Sequence, residues 1–264
     1  MSTAPASTVT PELRQVLRRL KLGKMLDTLP ERLTLARQSK LGHAAFLELV
    51  LADEIDRRDR SGAAQRARSA GLDTAMTLEA WDDHDAITYD HDILAELATL
   101  RFVEDHHCAF ILGPVGVGKT HLAHALGHVA CRRRRRVHAE RADRLFKRLK
   151  ASRLDNSHEQ ELRRLIAVDL LIIDDFALHG LDATATGDFY EIAVERHLTG
   201  ATLLTSNREP IEWLTQLADP LLAQSAIDRL QSSAYELVIE GESYRRRQKP
   251  TITKTTKTTT RKDH

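Results

Sequence analysis

Residues 113–120 read Gly-Pro-Val-Gly-Val-Gly-Lys-Thr and fill every required place of the pattern G-x-x-x-x-G-K-[ST]. The residue types follow from the chemistry. A triphosphate is held by a tight loop whose backbone N–H groups point inward, and side chains on that inner surface would keep the phosphates out. Gly113, Gly116 and Gly118 permit the close approach and the positive φ angles of such a loop. Pro114, Val115 and Val117 supply the rest of its backbone. Lys119 is placed to set one ammonium between the β- and γ-phosphates, and the Thr120 hydroxyl to ligate Mg²⁺. The octet predicts a nucleoside triphosphate site.

Hydrolysis needs more: an acid to hold the metal and a group to activate water. Leu170-Leu171-Ile172-Ile173-Asp174-Asp175 has that form, an aliphatic run that reads as a strand buried on both faces and ends in two carboxylates. Asp174 is expected to hold Mg²⁺ through water, and Asp175 to orient or deprotonate the attacking water. Ala201-Thr202-Leu203-Leu204-Thr205-Ser206-Asn207 is a further apolar strand ending in polar residues. Asn207 is its candidate for a hydrogen bond to the γ-phosphate or the water, with Thr205 and Ser206 weaker ones. Arg229 falls at the end of a helix predicted from Pro220. A lone arginine there is ordinarily a surface charge, and it gains a role only if another subunit offers it a phosphate.

These residues need a frame. Cys108-Ala109-Phe110-Ile111-Leu112 reads as a buried strand entering the loop, and the apolar spacing from His121 to Cys131 reads as a helix leaving it. The helix N-terminus, with its partial positive charge, then faces the phosphates. A chance glycine-rich turn would explain the octet but not strand, loop and helix in succession. From about Ile93 to Gly241, short apolar runs alternate with helical stretches, the pattern of an α/β domain with a parallel sheet between helices, and that domain is expected over residues 93–248. Residues 11–70 look all-helical and carry excess basic charge, so a helical N-terminal domain is expected. Residues 71–92, with the acidic stretch Trp81-Asp82-Asp83-His84-Asp85, form a connector without clear periodicity. Residues 1–10 and the Thr/Lys-rich 249–264 read as disordered.

Composition narrows the class. The chain has 264 residues and a net charge of +1, so it is not as a whole a basic DNA-binding module. At 5 % aromatic content, base stacking is not its obvious mode of nucleic-acid binding. Cys108 and Cys131 have no metal-ligand spacing and suit small core residues in a reducing cytosol. None of the 13 histidines falls in a ligand pattern. No apolar run is long enough to span a membrane and no signal peptide opens the chain, so a cytoplasmic protein is expected. The run Arg132–Arg136 directly after the loop's helix admits two readings. It is either a solvated turn distant from the nucleotide or a contact to DNA phosphates by counterion release.

Taken together, the chain resembles the IstB-like ATP-binding proteins, the helpers encoded beside the IstA transposase in a bacterial insertion-sequence family. These are related to the DnaC helicase loaders within the AAA+ ATPases. The resemblance spans nearly the whole ordered chain. It rests on Gly118-Lys119-Thr120-His121-Leu122-Ala123, Leu171-Ile172-Ile173-Asp174-Asp175-Phe176, Thr205-Ser206-Asn207-Arg208, Ile227-Asp228-Arg229-Leu230 and Glu240-Gly241-Glu242-Ser243-Tyr244-Arg245. It implies a AAA+ core with a helical N-terminal extension, an ATPase using ATP and Mg²⁺, and ATP-dependent oligomers on double-stranded DNA that stimulate an IstA-type transposase. It further implies that His121 belongs to the nucleotide-binding stretch, that Arg229 matches the family's arginine finger, and that Arg245 falls in the terminal signature. One departure is the turn after the first core helix, where the family usually has glycine and this chain has arginine.

Three rival readings remain at this point. A DnaC-like replicative helicase loader shares the fold, and the Gly-Glu-Ser-Tyr-Arg ending favours the transposition side. A small-molecule kinase would need an acceptor pocket and a mobile arginine-rich lid. A non-hydrolysing nucleotide switch is separated from the leading reading only by turnover.

Overall fold

The structure is a computed structural model and describes residues 9–81 and 87–243. The acidic stretch 82–85, Arg245 and the Thr/Lys tail lie outside the described residues.

The N-terminal part is helical. Helix α1 (Pro11–Arg19) starts at Thr10, whose hydroxyl accepts from the Leu13 N–H. Pro11 occupies the first turn, where a missing N–H is not needed. A 3₁₀ turn at Gly23–Asp27 leads to α2 (Leu29–Gln38) and the long α3 (His43–Ser69). Val9, Leu17, Met25, Leu29 and Val50 form a small core of their own. Beyond it come a 3₁₀ turn at Leu78–Ala80, β1 (Ile87–Thr88), α4 (His91–Ala98) and α5 (Arg101–Glu104).

The remaining elements alternate. They are β2 (Cys108–Leu112), α6 (Lys119–Arg132), β3 (Val137–Arg141), α7 (Ala142–Ser152), α8 (His158–Ile166), β4 (Leu170–Asp174) and α9 (Ala183–Arg196). The chain continues with β5 (Ala201–Ser206), α10 (Pro210–Trp213), α11 (Pro220–Gln231), β6 (Ala234–Val238) and β7 (Glu240–Gly241). Five strands form one sheet in the order β3-β4-β5-β2-β6, all parallel, while β1 and β7 pair as a small antiparallel ribbon.

Burial on both faces explains the unbroken aliphatic runs, because successive side chains point to opposite sides. Ala109, Ile111, Leu170, Ile172 and Leu203 join the core beneath α6, with Leu122, Ala123 and Leu126. Phe110, Leu112, Leu171, Ile173 and Leu204 join the core beneath α7, α9 and α11, with Leu145, Phe189 and Ile227. The α/β architecture read from the sequence is therefore the one found, with helices on both faces of the sheet.

The arginine run resolves differently from a free cationic patch. Arg132 pairs with Glu79 at 3.3 Å, Arg134 with Asp59 at 2.7 Å, Arg135 with Glu104 at 2.9 Å and Arg136 with Asp169 at 2.7 Å. Arg133 donates to the Thr99 carbonyl. Each arginine thus ties the far end of α6 to a different neighbour. Arg134 takes φ +60°, the left-handed conformation that glycine adopts at a helix end without steric penalty.

Candidate nucleotide site

The register of the sheet aligns the carboxyl ends of its strands. Leu112 of β2 lies opposite Ser206 of β5 and Val238 of β6, and Asp174 of β4 lies opposite Arg141 of β3. Crevices at the carboxyl ends of parallel strands are where open α/β sheets bind ligands. Because β5 lies between β2 and β4, its end falls between the glycine loop and the acidic pair.

The loop bridges β2 and α6. Gly113, Gly116 and Gly118 take φ of +145°, +89° and +100°. At Gly113 a Cβ would overlap the Ile239 carbonyl oxygen, so the crossing needs glycine as well as its backbone angle. The Gly113 N–H donates to the Ser206 carbonyl at 3.2 Å, fixing the loop's start to β5. Val117 is buried at its base, while Val115 faces solvent. Lys119 opens α6 and is buried, its Nζ donating to the carbonyls of Gly113 at 2.7 Å and Pro114 at 2.8 Å. The ammonium is thereby held inside the loop.

One turn of helix carries the chemistry across β5 to β4. The Thr120 hydroxyl donates to Asp174, 2.9 Å from Oδ1 and 3.1 Å from Oδ2. Asp174 is buried, and its Oδ1 also accepts from the Thr205 hydroxyl at 2.5 Å. Thr205 in turn accepts from the Asp175 N–H at 2.9 Å, so one buried hydroxyl positions both members of the acidic pair. Asp175 takes φ +54°, which turns its carboxylate out of the strand's line towards solvent. Its Oδ2 lies 3.6 Å from Arg141 Nε, which is also 3.3 Å from Asp143 Oδ1. A cleft of about 310 Å³ opens beside this pair, lined in part by Arg141, Lys147, Asp175 and His179.

The donor set fits Mg²⁺. Thr120 and Asp174 present only hard oxygens, side by side at the loop. Among the described residues no group of three or more His, Cys, Asp or Glu side chains forms a metal cage. Such a sparse set suits a cation that takes most of its ligands from phosphates and water.

The other expected residues divide. Asn207 is exposed at the end of β5 and shares a cleft of about 640 Å³ with Gly113 and Pro114. His121 turns its ring to the connector, with Nε2 2.9 Å from the Thr77 carbonyl oxygen. Arg229 is not brought to the loop. It lies in the last turn of α11, bonded to the Ser225 carbonyl at 2.8 Å and to the Ser225 hydroxyl. That helix belongs to the core on the sheet face opposite α6. Sequence reasoning ranked Thr205 low and passed over Arg141, whose place beside Asp175 comes from strand register.

Comparison with known proteins decides the family. The model of the family described as IstB-like ATP binding protein matches residues 15–251. The chain belongs to that family. An ATP-binding protein in an insertion sequence of Mycobacterium tuberculosis is 38 % identical over 241 residues, covering 91 % of this chain and 96 % of the relative. An insertion sequence IS21 ATP-binding protein of Pseudomonas aeruginosa is 33 % identical over 249 residues, covering 94 % of both chains. Among solved structures, DnaI superposes with a TM-score of 0.54 at 23 % identity, over 67 % of this chain and 98 % of its own. The DnaC helicase loader gives 0.50 at 18 % identity, over 63 % and 97 %. At that identity they show the fold alone, a AAA+ phosphate-loop core. This IstB-like chain is thus an ATP-binding protein of the insertion-sequence type. No helix among its described residues is long and apolar enough to cross a membrane.

Proposed function

We propose that the chain is an ATP-hydrolysing helper of a transposon, which assembles on double-stranded DNA with ATP at subunit junctions and stimulates an IstA-type transposase. The observation that carries hydrolysis is the bonded series Thr120–Asp174–Thr205–Asp175, laid across β5 from the glycine loop. Bound ATP with Mg²⁺ would supply the phosphoanhydride and a Lewis acid at Thr120 and Asp174. Lys119 would balance charge on the β- and γ-phosphates. Asp175 would accept the proton of a water, and Asn207 would orient that water or the γ-phosphate. Arg245 is proposed to face the same nucleotide on the strength of the family signature alone.

The position of Arg229 supports a junction. It stands away from its own chain's loop, so a role in phosphate chemistry requires a second copy. A net charge of +1 is compatible with DNA binding when many copies line one surface. The insertion-sequence names of the relatives favour transposition over helicase loading.

The test is ATP turnover with and without duplex DNA, paired with the mass in solution. ATP-dependent assembly on DNA with stimulated turnover is expected. Arg229→Ala should keep ATP binding and lose the stimulation, while Lys119→Ala should lose tight ATP binding. A monomer whose turnover ignores DNA would refute the reading.

A further inference from the structure

Two aromatic rings and two imidazoles gather beside the glycine loop. Trp81 lies 6.2 Å from Tyr89 in edge-to-face geometry and 5.4 Å from His121 at 60°, and Tyr89 lies 4.5 Å from His91. Trp81 is held at both ends. The benzo edge of its indole, at Cζ3 and Cη2, occupies the space that a Cβ on Gly118 would need. At the other end its Nε1–H donates to the Tyr89 hydroxyl at 3.2 Å. The indole is half-buried, resting on the core beneath α6 with part of its surface open.

The strand order says which end of a nucleotide meets this cluster. Asp174, Asp175 and Asn207 lie on the β5–β4 side of the loop, so the β- and γ-phosphates face that side. The nucleoside must then extend to the other side, towards β6 and the β1–β7 ribbon. Tyr89 follows β1 directly, and Trp81 bridges from Tyr89 to Gly118 and His121.

We propose that Trp81 is the nucleobase-stacking residue of this site, with Tyr89 fixing its orientation, and that it makes the site selective for purine nucleotides. The inference rests on the ATP-site reading and adds to it the residue that recognises the base. A purine presents the larger π-face to a rigid indole, and stacking is favoured by overlap and dispersion. The connector residue is thus a ligand contact, although it lies outside every phosphate-binding motif.

The test uses the full chain and three probes: ATP, CTP and inorganic tripolyphosphate. Trp213 is fully buried, so Trp81 is the indole open to a ligand. ATP should quench the tryptophan emission, tripolyphosphate should leave it nearly unchanged, and Trp81→Phe should remove the emission response. Trp81→Ala should weaken ATP binding about 5- to 150-fold, the range base–aromatic stacking gives. It should leave calorimetric tripolyphosphate affinity near wild type, and it should erase the preference for ATP over CTP. Equal losses for ATP and tripolyphosphate would overturn the proposal, because Trp81 would then only support Gly118. Calorimetric ATP binding without any change in emission would overturn it too, while leaving the phosphate site intact. Binding of neither probe by the wild type would bring down the ATP-site reading and this proposal together.

Discussion

Replacing Thr205 by valine removes one hydroxyl and leaves nearly everything else in place. Valine keeps the shape and the β-branching, so the fully buried strand position retains its packing. Two bonds are lost. One is the charge-assisted bond to Asp174 Oδ1 at 2.5 Å, the other the acceptor for the Asp175 N–H at 2.9 Å. A hydrogen bond to a charged group contributes about 1.5–3 kcal/mol, and a buried N–H without a partner costs about 1–3 kcal/mol. Asp175 is near solvent, with 39 % of its side chain exposed, so water offsets part of the second loss. The combined effect is about 3 kcal/mol, or a drop of about 6–12 °C in the melting temperature.

The functional effect separates from the structural one. The Thr205 hydroxyl bonds Asp174 and Asp175 rather than Lys119, so ATP affinity should change little. Asp174 and Asp175 lose their common anchor, and a displacement of about 1 Å in such groups reduces turnover up to about 100-fold. Thr205→Ser restores the hydroxyl and should recover turnover even where it loses some stability. A Thr205→Val protein that melts and hydrolyses ATP like the wild type would show that the hydroxyl does not organise the pair.

Arg196 is fully buried, and burial draws its pKa down to about 10. It donates to the carbonyls of Leu165, Ile166, Val168 and Ala201 and to the Thr202 hydroxyl, so Arg196→Met should destabilise by at least about 3 kcal/mol on thermal unfolding. Burial also lowers the pKa of His124, whose Nδ1 accepts from the Asp73 N–H at 2.9 Å in its neutral form. A base with a depressed folded pKa gives stability that is complete above its ordinary value of 6.5 and lost as pH falls through it. The melting temperature should therefore fall from pH 7 to pH 5.5, and His124→Gln should flatten that slope. Changing Arg132–Arg136 to serine should leave the salt dependence of DNA binding unaltered. A slope shallower by about 0.9 for each arginine would return the run to DNA contact.

What could be read from the sequence was local. The octet, the strand Cys108–Leu112 and the aliphatic run ending at Asp174 each declare themselves within a few residues, because loop chemistry and burial on both faces constrain neighbours in the chain. The insertion of β5 between β2 and β4 leaves no such trace. It follows from pairing among strands distant in sequence, and it is what brings Thr205 between Asp174 and Asp175. Arg141 was silent for the same reason, since its nearness to Asp175 comes from the β3–β4 register. The partners of the arginine run, Asp59, Glu79, Glu104 and Asp169, could not be read from sequence because they are scattered. Aspartates 59 and 169 stand 75 and 33 residues from the arginines they bind.

The connector shows how an aperiodic segment becomes ordered. Along α6, His121, His124 and His128 fall at spacings of three and four, one helical face. His121 meets the Thr77 carbonyl, while His124 and His128 meet the N–H and carbonyl of Asp73. The connector backbone lies along these imidazoles and borrows its geometry from the helix, so its own sequence needs no hydrophobic period. At the far end Arg66 of α3 donates to the Cys131 carbonyl, and Arg134 pairs with Asp59. A helix of 14 residues, about 20 Å long, therefore carries the glycine loop at one end and the N-terminal helices at the other. The helix is thus bonded to the connector along one face and to α3 at its far end. The three histidines are what tie the connector backbone to α6.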